Sequence, residues 1–135
     1  TPADLHYISS DVVDSNSISE KVHIENYVLT HSKNLRPSVT IGISINGELF
    51  EEHAQGDGQY DAFVNALHKI YKQKSIQLPE LVDYEVRIPP GGKSDALCET
   101  IITWFYNQKE FKTRGLDSDQ TVAAIKATEK MLNQI

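Results

Sequence analysis

Gly92-Lys93-Ser94 ends the pattern G-x-x-x-x-G-K-[ST], in which backbone N–H groups and a lysine cradle the phosphates of a nucleotide. That pattern needs a glycine at position 87, where Arg87 stands, and a helix directly after it so that N–H groups face the anion. The next residues are instead Ala96-Leu97-Cys98-Glu99-Thr100-Ile101-Ile102-Thr103-Trp104, rich in β-branched and aromatic types, which reads as a strand. The stretch is therefore read as a turn between two strands. The histidines, His6, His23, His31, His53 and His68, show neither H-x-H nor H-x-x-x-H spacing, and Cys98 has no second cysteine, so no metal set is expected. Cys98, in mid-strand among apolar neighbours, reads as a packing thiol, not a nucleophile. Trp104 and Phe105 read as core or interface aromatics, and Glu51-Glu52 as a solvated strand surface. With no nucleophile–base pair in view, a small independent enzyme is the least supported reading.

Two other stretches could bind something. "AQGDGQYDAF" (54–63) and "TRGLDSDQTV" (113–122) are glycine-containing loops that run into helices. A helix start carries unpaired N–H groups and positive partial charge, which suit a carboxylate. Asp61 is the N-cap candidate of the first helix, and Ser118 or Asp119 of the second. The plainer alternative is two capped helix starts and no ligand.

The elements that carry these loops come twice. "IENYVLTH" (24–31) matches "LVDYEVRI" (81–88), and "DAFVNALHK" (61–69) matches "DQTVAAIKA" (119–127), placing Asp61 on Asp119. The offsets are 57 and 58, and two copies make a pseudo-symmetric domain, not a solenoid. Each copy reads as strand, strand, strand, helix. Val39, Ile41, Ile43 and Ile45 alternate with other residues at strand period, as do Val82, Tyr84, Val86 and Ile88. Asn46-Gly47 supplies a two-residue hairpin turn before a return strand over 48–54. In the second copy the strands are expected at 96–105 and 110–112, with Asn107 near the turn. Pro89-Pro90-Gly91-Gly92 ends the strand before it. Ala62, Phe63, Ala66, Leu67, Ile70 and Tyr71 form one helical stripe, and Val122, Ala124, Ile125, Thr128, Met131 and Leu132 the other. The expected fold is α+β, with units at about 22–72 and 81–133 and both helices on one face of a mainly antiparallel sheet built from both copies. Residues 1–21 form a short helical segment, starting at Thr1-Pro2-Ala3-Asp4, and a polar connector.

Composition narrows the class. The chain has 135 residues and a net charge of −6, from 13 Lys+Arg against 19 Asp+Glu. With no basic cluster, nucleic acid is not an expected partner. No apolar run reaches the roughly 20 residues of a membrane span, and Thr1 begins no signal peptide. A lone cysteine fits a reducing, cytoplasmic compartment. A start at Thr1-Pro2 suggests a piece of something longer.

"GDGQYDAFVNAL", "LVDYEVRIPPGGKSDALCETIITW" and "FKTRGLDSDQTVAAIKATEKMLN" resemble the C-terminal regulatory domain of the 2-isopropylmalate synthase and citramalate synthase family, over nearly the whole chain. The resemblance implies that this domain has no catalysis and no cofactor of its own. The parent enzyme condenses acetyl-CoA with a 2-oxo acid on a separate N-terminal barrel of the same chain. That barrel carries a divalent metal on a D-x-T-L-R-D-G segment and an H-x-H pair, neither of which occurs in these residues. It also implies a homodimer that binds leucine, or isoleucine in a citramalate synthase, as feedback inhibitor. The implied effector site takes Tyr60 and Asp61 before the first helix, and Leu81, Tyr84 and Ile88 on the strand before the double proline. Cys98 comes from the strand after it, and Ser118, Asp119 and Gln120 from the start of the second helix. Leu81, Tyr84, Ile88 and Cys98 suit an aliphatic side chain, an acidic residue suits an ammonium group, and helix-start N–H groups suit a carboxylate. The competing reading is a structural dimerisation domain without ligand. On the leading reading, Pro-Pro-Gly-Gly joins two walls of a pocket, and Lys93, Ser94 and Asp95 are turn residues.

Overall fold

The computed structural model describes residues 21–88 and 97–135. The helical start at Thr1-Pro2-Ala3-Asp4 and the Pro89-Pro90-Gly91-Gly92 turn with Lys93, Ser94 and Asp95 lie outside them. The first unit is β1 (Val22–Thr30), β2 (Ser38–Ile45), β3 (Glu48–Gln55) and α1 (Gln59–Gln73). The second is β4 (Glu80–Arg87), β5 (Cys98–Tyr106), β6 (Lys109–Asp117) and α2 (Gln120–Leu132). This is the expected α+β fold of two strand–strand–strand–helix units. β5 begins at Cys98 and ends one residue later than expected, and β6 runs further than expected, over nine residues.

Local chemistry sets the hairpins. Asn46 (φ 52°) and Gly47 (φ 86°) turn β2 into β3, and Asn107 (φ 52°) and Gln108 (φ 67°) turn β5 into β6. Two consecutive left-handed residues match the twist of the flanking strands, and they set the pairs Ile45–Glu48 and Tyr106–Lys109. Alternation then decides the faces. Val39, Ile41, Ile43 and Ile45 are buried on the inner side of β2, and Thr100, Ile102 and Trp104 on that of β5.

The single sheet built from both copies does not form. Among the described residues there are two separate antiparallel sheets, ordered β1-β2-β3 and β4-β5-β6. The reason lies at the outer edge of β1. There, side chains of α2 and of its C-cap take the hydrogen bonds that another strand would have taken. Val22 N–H donates to Asn133 Oδ1 (2.8 Å), Asn133 Nδ2 donates back to Val22 O (2.9 Å), and Ile24 N–H donates to Glu129 Oε2 (2.7 Å). Lys21 Nζ reaches the Ile135 carbonyl beside them. In the second unit, Pro79 precedes β4 at the offset of Val22 and has no N–H to satisfy.

The pairings also correct the internal alignment. β1 and β4 correspond at an offset of 57, each with a register shift at the same place, between Ile24 and Asn26 and between Leu81 and Asp83. After them the offset is 61: Ile41 matches Ile102, Phe50 matches Phe111, and the cap residue Gly58 matches Asp119. Asp61 therefore corresponds to Val122, not to Asp119. A slip of three residues is almost one helical turn, so the apolar stripes overlay nearly as well in either register. The 61 offset also pairs two tethers, Asn65 Nδ2 to Gln55 O (2.9 Å) and Lys126 Nζ to Leu116 O (3.0 Å).

In the second unit the helix comes close to the strand itself. A Cβ on Gly115 would lie 2.1 Å from Ala123 O and 2.9 Å from Ala127 N. The matching residue of β3, Ala54, carries a methyl and is buried. So α2, with Ala123, Ala124 and Ala127 on its buried face, sits nearer its strands than α1 does at the same rung. Gly115→Ala must push helix backbone away from the sheet. The expected loss is about 2–3 kcal/mol, seen as a lower denaturation midpoint at unchanged slope. Gly58→Ala, where a Cβ meets nothing within 4 Å, should lose less than about 1 kcal/mol. Equal losses at the two positions would refute the close approach.

Candidate functional site

Tyr60, in the first turn of α1, joins the two units. Its ring centroid lies 6.2 Å from that of Phe63 and 5.7 Å from that of Tyr84 on β4, tilted 47° to the latter. Its hydroxyl is 2.6 Å from Thr128 Oγ1 on α2. Thr128 donates its own proton to the Ala124 carbonyl (2.8 Å), so its oxygen accepts from Tyr60. Tyr60 and Tyr84 are half-buried against the core. Burial raises the Tyr60 hydroxyl well above its ordinary pKa; the Thr128 bond works the other way, and nearby Tyr84 adds to the rise.

The two helix starts differ. Asp61 is the expected cap of α1, but Gly58 holds that place and gives no side-chain cap. The helix starts three residues earlier than the apolar stripe suggests, which puts Asp61 inside its first turn. From there the exposed Asp61 Oδ2 accepts from Asp57 N–H (2.9 Å). At α2 Asp119 caps as expected, accepting from Thr121 N–H (2.7 Å) and Val122 N–H (3.1 Å). Asp117 accepts from Asp119 N–H (2.9 Å) and pairs with Lys126 (3.0 Å). Those two contacts, the backbone one first, hold the Asp117 carboxyl below its ordinary pKa. Two carboxylates of the chain thus occupy the α2 start, while the N-cap of α1 supplies no side-chain acceptor to its first turn.

The nine expected site residues divide accordingly. Tyr60, Asp61 and Tyr84 lie together where α1 meets β4. Cys98, Ser118, Asp119 and Gln120 lie at the start of α2. Cys98 is the first residue of β5, not mid-strand, and its thiol is half-buried, 3.9 Å from the Ser118 carbonyl. The register that pairs Arg87 with Glu99 brings Ile88, 67% exposed, to the level of Cys98. Leu81 pairs with Trp104 at the other end of β4 and is 40% exposed. Thr128, beside Tyr60, is nine residues from Asp119, about 13 Å along the helix axis. Trp104, expected as core or interface, is buried, with Nε1 donating to Thr113 Oγ1 (2.8 Å), while Phe105 faces outward at 36% exposure. In the sequence Thr128 stands only as a member of an apolar stripe; a hydroxyl in such a stripe is the one signal of its contact with Tyr60. Among the described residues no three His, Cys, Asp or Glu side chains are grouped to hold a metal ion, and no helix is long and apolar enough to cross a membrane.

Comparison with known proteins places this geometry in context. The sequence profile described as the LeuA allosteric (dimerisation) domain matches residues 1–135. The chain is 28% identical over 135 residues to a protein of Archaeoglobus fulgidus that bears the name (R)-citramalate synthase, covering 100% of this chain and 27% of that one. It is 29% identical to the 2-isopropylmalate synthase of Microcystis aeruginosa over 137 residues, covering 100% of this chain and 24% of that protein. Against the 2-isopropylmalate synthase of Methylorubrum populi the identity is 32% over 96 residues, 71% of this chain and 18% of that one. The chain thus spans about a quarter, or less, of the length of these relatives.

The buried phenols predict an alkaline limit to stability. Burial pushes the Tyr71 hydroxyl up to about 12, and no described group hydrogen-bonds to it. With a folded pKa above the unfolded value near 10, the folded state holds its proton longer. The contribution of Tyr71 is complete below pH 10 and is lost as pH rises from about 10 through 12. Denaturant midpoints should fall across that window, and Tyr71→Phe should make the fall shallower. An unchanged slope in the variant would refute the assignment.

Proposed function

The chain belongs to the family of LeuA allosteric (dimerisation) domains, and on that premise we propose that it is the regulatory domain of a 2-isopropylmalate synthase. On this reading it binds leucine as feedback inhibitor, forms a homodimer and performs no catalysis itself. The acetyl-CoA chemistry belongs to a separate catalytic domain of a cytoplasmic parent enzyme. The observation that carries the reading is the difference between the helix starts: α1 is uncapped and α2 is closed by Asp119. An α-amino acid presents a carboxylate and an ammonium group side by side. The first-turn N–H groups of α1 suit the carboxylate, and Asp61, in that turn, suits the ammonium. Tyr60 and Tyr84 give an aromatic wall for a branched aliphatic side chain.

The second group, Ile88, Cys98, Ser118, Asp119 and Gln120, does not reach this place within one chain. A twofold partner is the simplest means of bringing it there, and it would also cover the apolar surface of Leu81 and Ile88. Isoleucine in place of leucine is the second reading, favoured by the match across this whole chain to the protein named for citramalate synthesis.

Calorimetric titration with leucine, isoleucine and valine, with lysine and aspartate as controls, tests the proposal. One branched-chain amino acid should bind and raise the melting temperature by several degrees, and the controls should not. Asp61→Asn should weaken that binding roughly ten- to a hundredfold, the loss of one charge-assisted contact of about 1.5–3 kcal/mol. Asp119→Asn keeps a good cap and should change affinity less than about threefold. Silence from all three branched-chain amino acids would leave a structural dimerisation domain; equal losses in the two variants would mean the ligand is shared between both helix starts.

A further inference from the structure

We infer that the Thr128 hydroxyl is a positioning group for the effector site, fixing Tyr60 against Tyr84 from the opposite repeat unit. The inference rests on the proposed reading that Tyr60 lines that site. Thr128 spends its proton on Ala124 O, 2.8 Å away, which leaves a lone pair aimed at the Tyr60 hydroxyl at 2.6 Å. The acceptor is therefore fixed in direction by the backbone of α2 and cannot turn away without losing its own bond. Tyr60 has a desolvated hydroxyl, and a buried phenol with no acceptor is costly. Without Thr128 it would swing toward water, and the 5.7 Å approach to Tyr84 would open.

Packing alone does not call for a threonine here. At the offset of 61, the residue of α1 that matches Thr128 is Leu67, fully buried, so a purely apolar side chain fills the same position in the first unit. The residue that matches Tyr60 is Thr121, so the tyrosine–threonine contact has no counterpart at the equivalent positions, although the fold repeats. Tyr27, the counterpart of Tyr84, stands at the same register opposite Ile41 as Tyr84 does opposite Ile102. The symmetry is thus kept in the strands and broken at the one hydroxyl pair that touches the site.

The test is a double-mutant cycle on the purified chain, read as affinity for leucine and isoleucine at unchanged stoichiometry. Thr128→Val keeps the shape and removes the acceptor, and should weaken binding about five- to tenfold. Thr128→Ser restores the hydroxyl and should bind within about twofold of the parent. Tyr60→Phe leaves α2 untouched and should weaken binding about as much as Thr128→Val. In the Tyr60→Phe background, Thr128→Val should add less than about twofold. Should Thr128→Val not fold, Tyr60→Phe and Thr128→Ser still decide: wild-type affinity in Tyr60→Phe, or a large loss in Thr128→Ser, overturns the inference. The same loss from Thr128→Val in both backgrounds also overturns it, since Thr128 would then serve α2 alone. If the parent chain binds neither amino acid, the effector reading falls and takes this inference with it.

Discussion

A strand at the edge of a sheet must find partners for its outward N–H and C=O groups, and the way β1 does so holds the molecule together. Asn133 meets Val22 with both an acceptor and a donor, as a neighbouring strand would, and Glu129 takes the next outward N–H at Ile24. The contacts join residues 111 and 105 apart in sequence. They tie the last turns of the second unit to the first strand of the first. Because Thr128 lies next to Glu129 on that helix, the same turns also carry the contact with Tyr60. One piece of helix thereby serves both the edge of β1 and the Tyr60 contact.

Close packing seats that helix on its sheet. Gly115 admits the backbone of α2 to the face of β6, and the alanines of the helix leave no side-chain bulk between the two. A Cβ at residue 115 would clash with the Ala123 carbonyl and the Ala127 nitrogen, so this fit depends on the glycine. A hydroxyl on such a helix is a fixed reference point, whereas the same hydroxyl on a loop would follow its partner.

Much of this is legible in the sequence, and the limits have physical causes. Alternation in 39–45 and 82–88 and the turn residues Asn46-Gly47 and Asn107 suffice for the strands, because strand period and positive-φ turns are local properties. The helix register expected from the sequence is off by three residues because a period of 3.6 hides a slip of nearly one turn. That slip places Asp61 at the cap and sets it opposite Asp119. The separation of the sheets is not legible at all, since it depends on Asn133 and Glu129 meeting a strand more than a hundred residues away. The candidate site comes from resemblance, and only its Tyr60–Asp61–Tyr84 part is contiguous within one chain. The rest lies at the start of α2 and at the two ends of β4, where strand and helix rise carry residues apart faster than sequence matching reveals.

The capped start of α2 has a consequence of its own. There a carboxylate is already in place on two N–H groups of a helix that repeats the form of α1. The second repeat therefore acts as an internal facsimile of a carboxylate-bound helix start, with Asp119 standing in for the acid group of a guest. Its N–H to oxygen distances, 2.7 and 3.1 Å, give the geometry of a filled helix start in this fold, which the Gly58 cap leaves unmatched at α1.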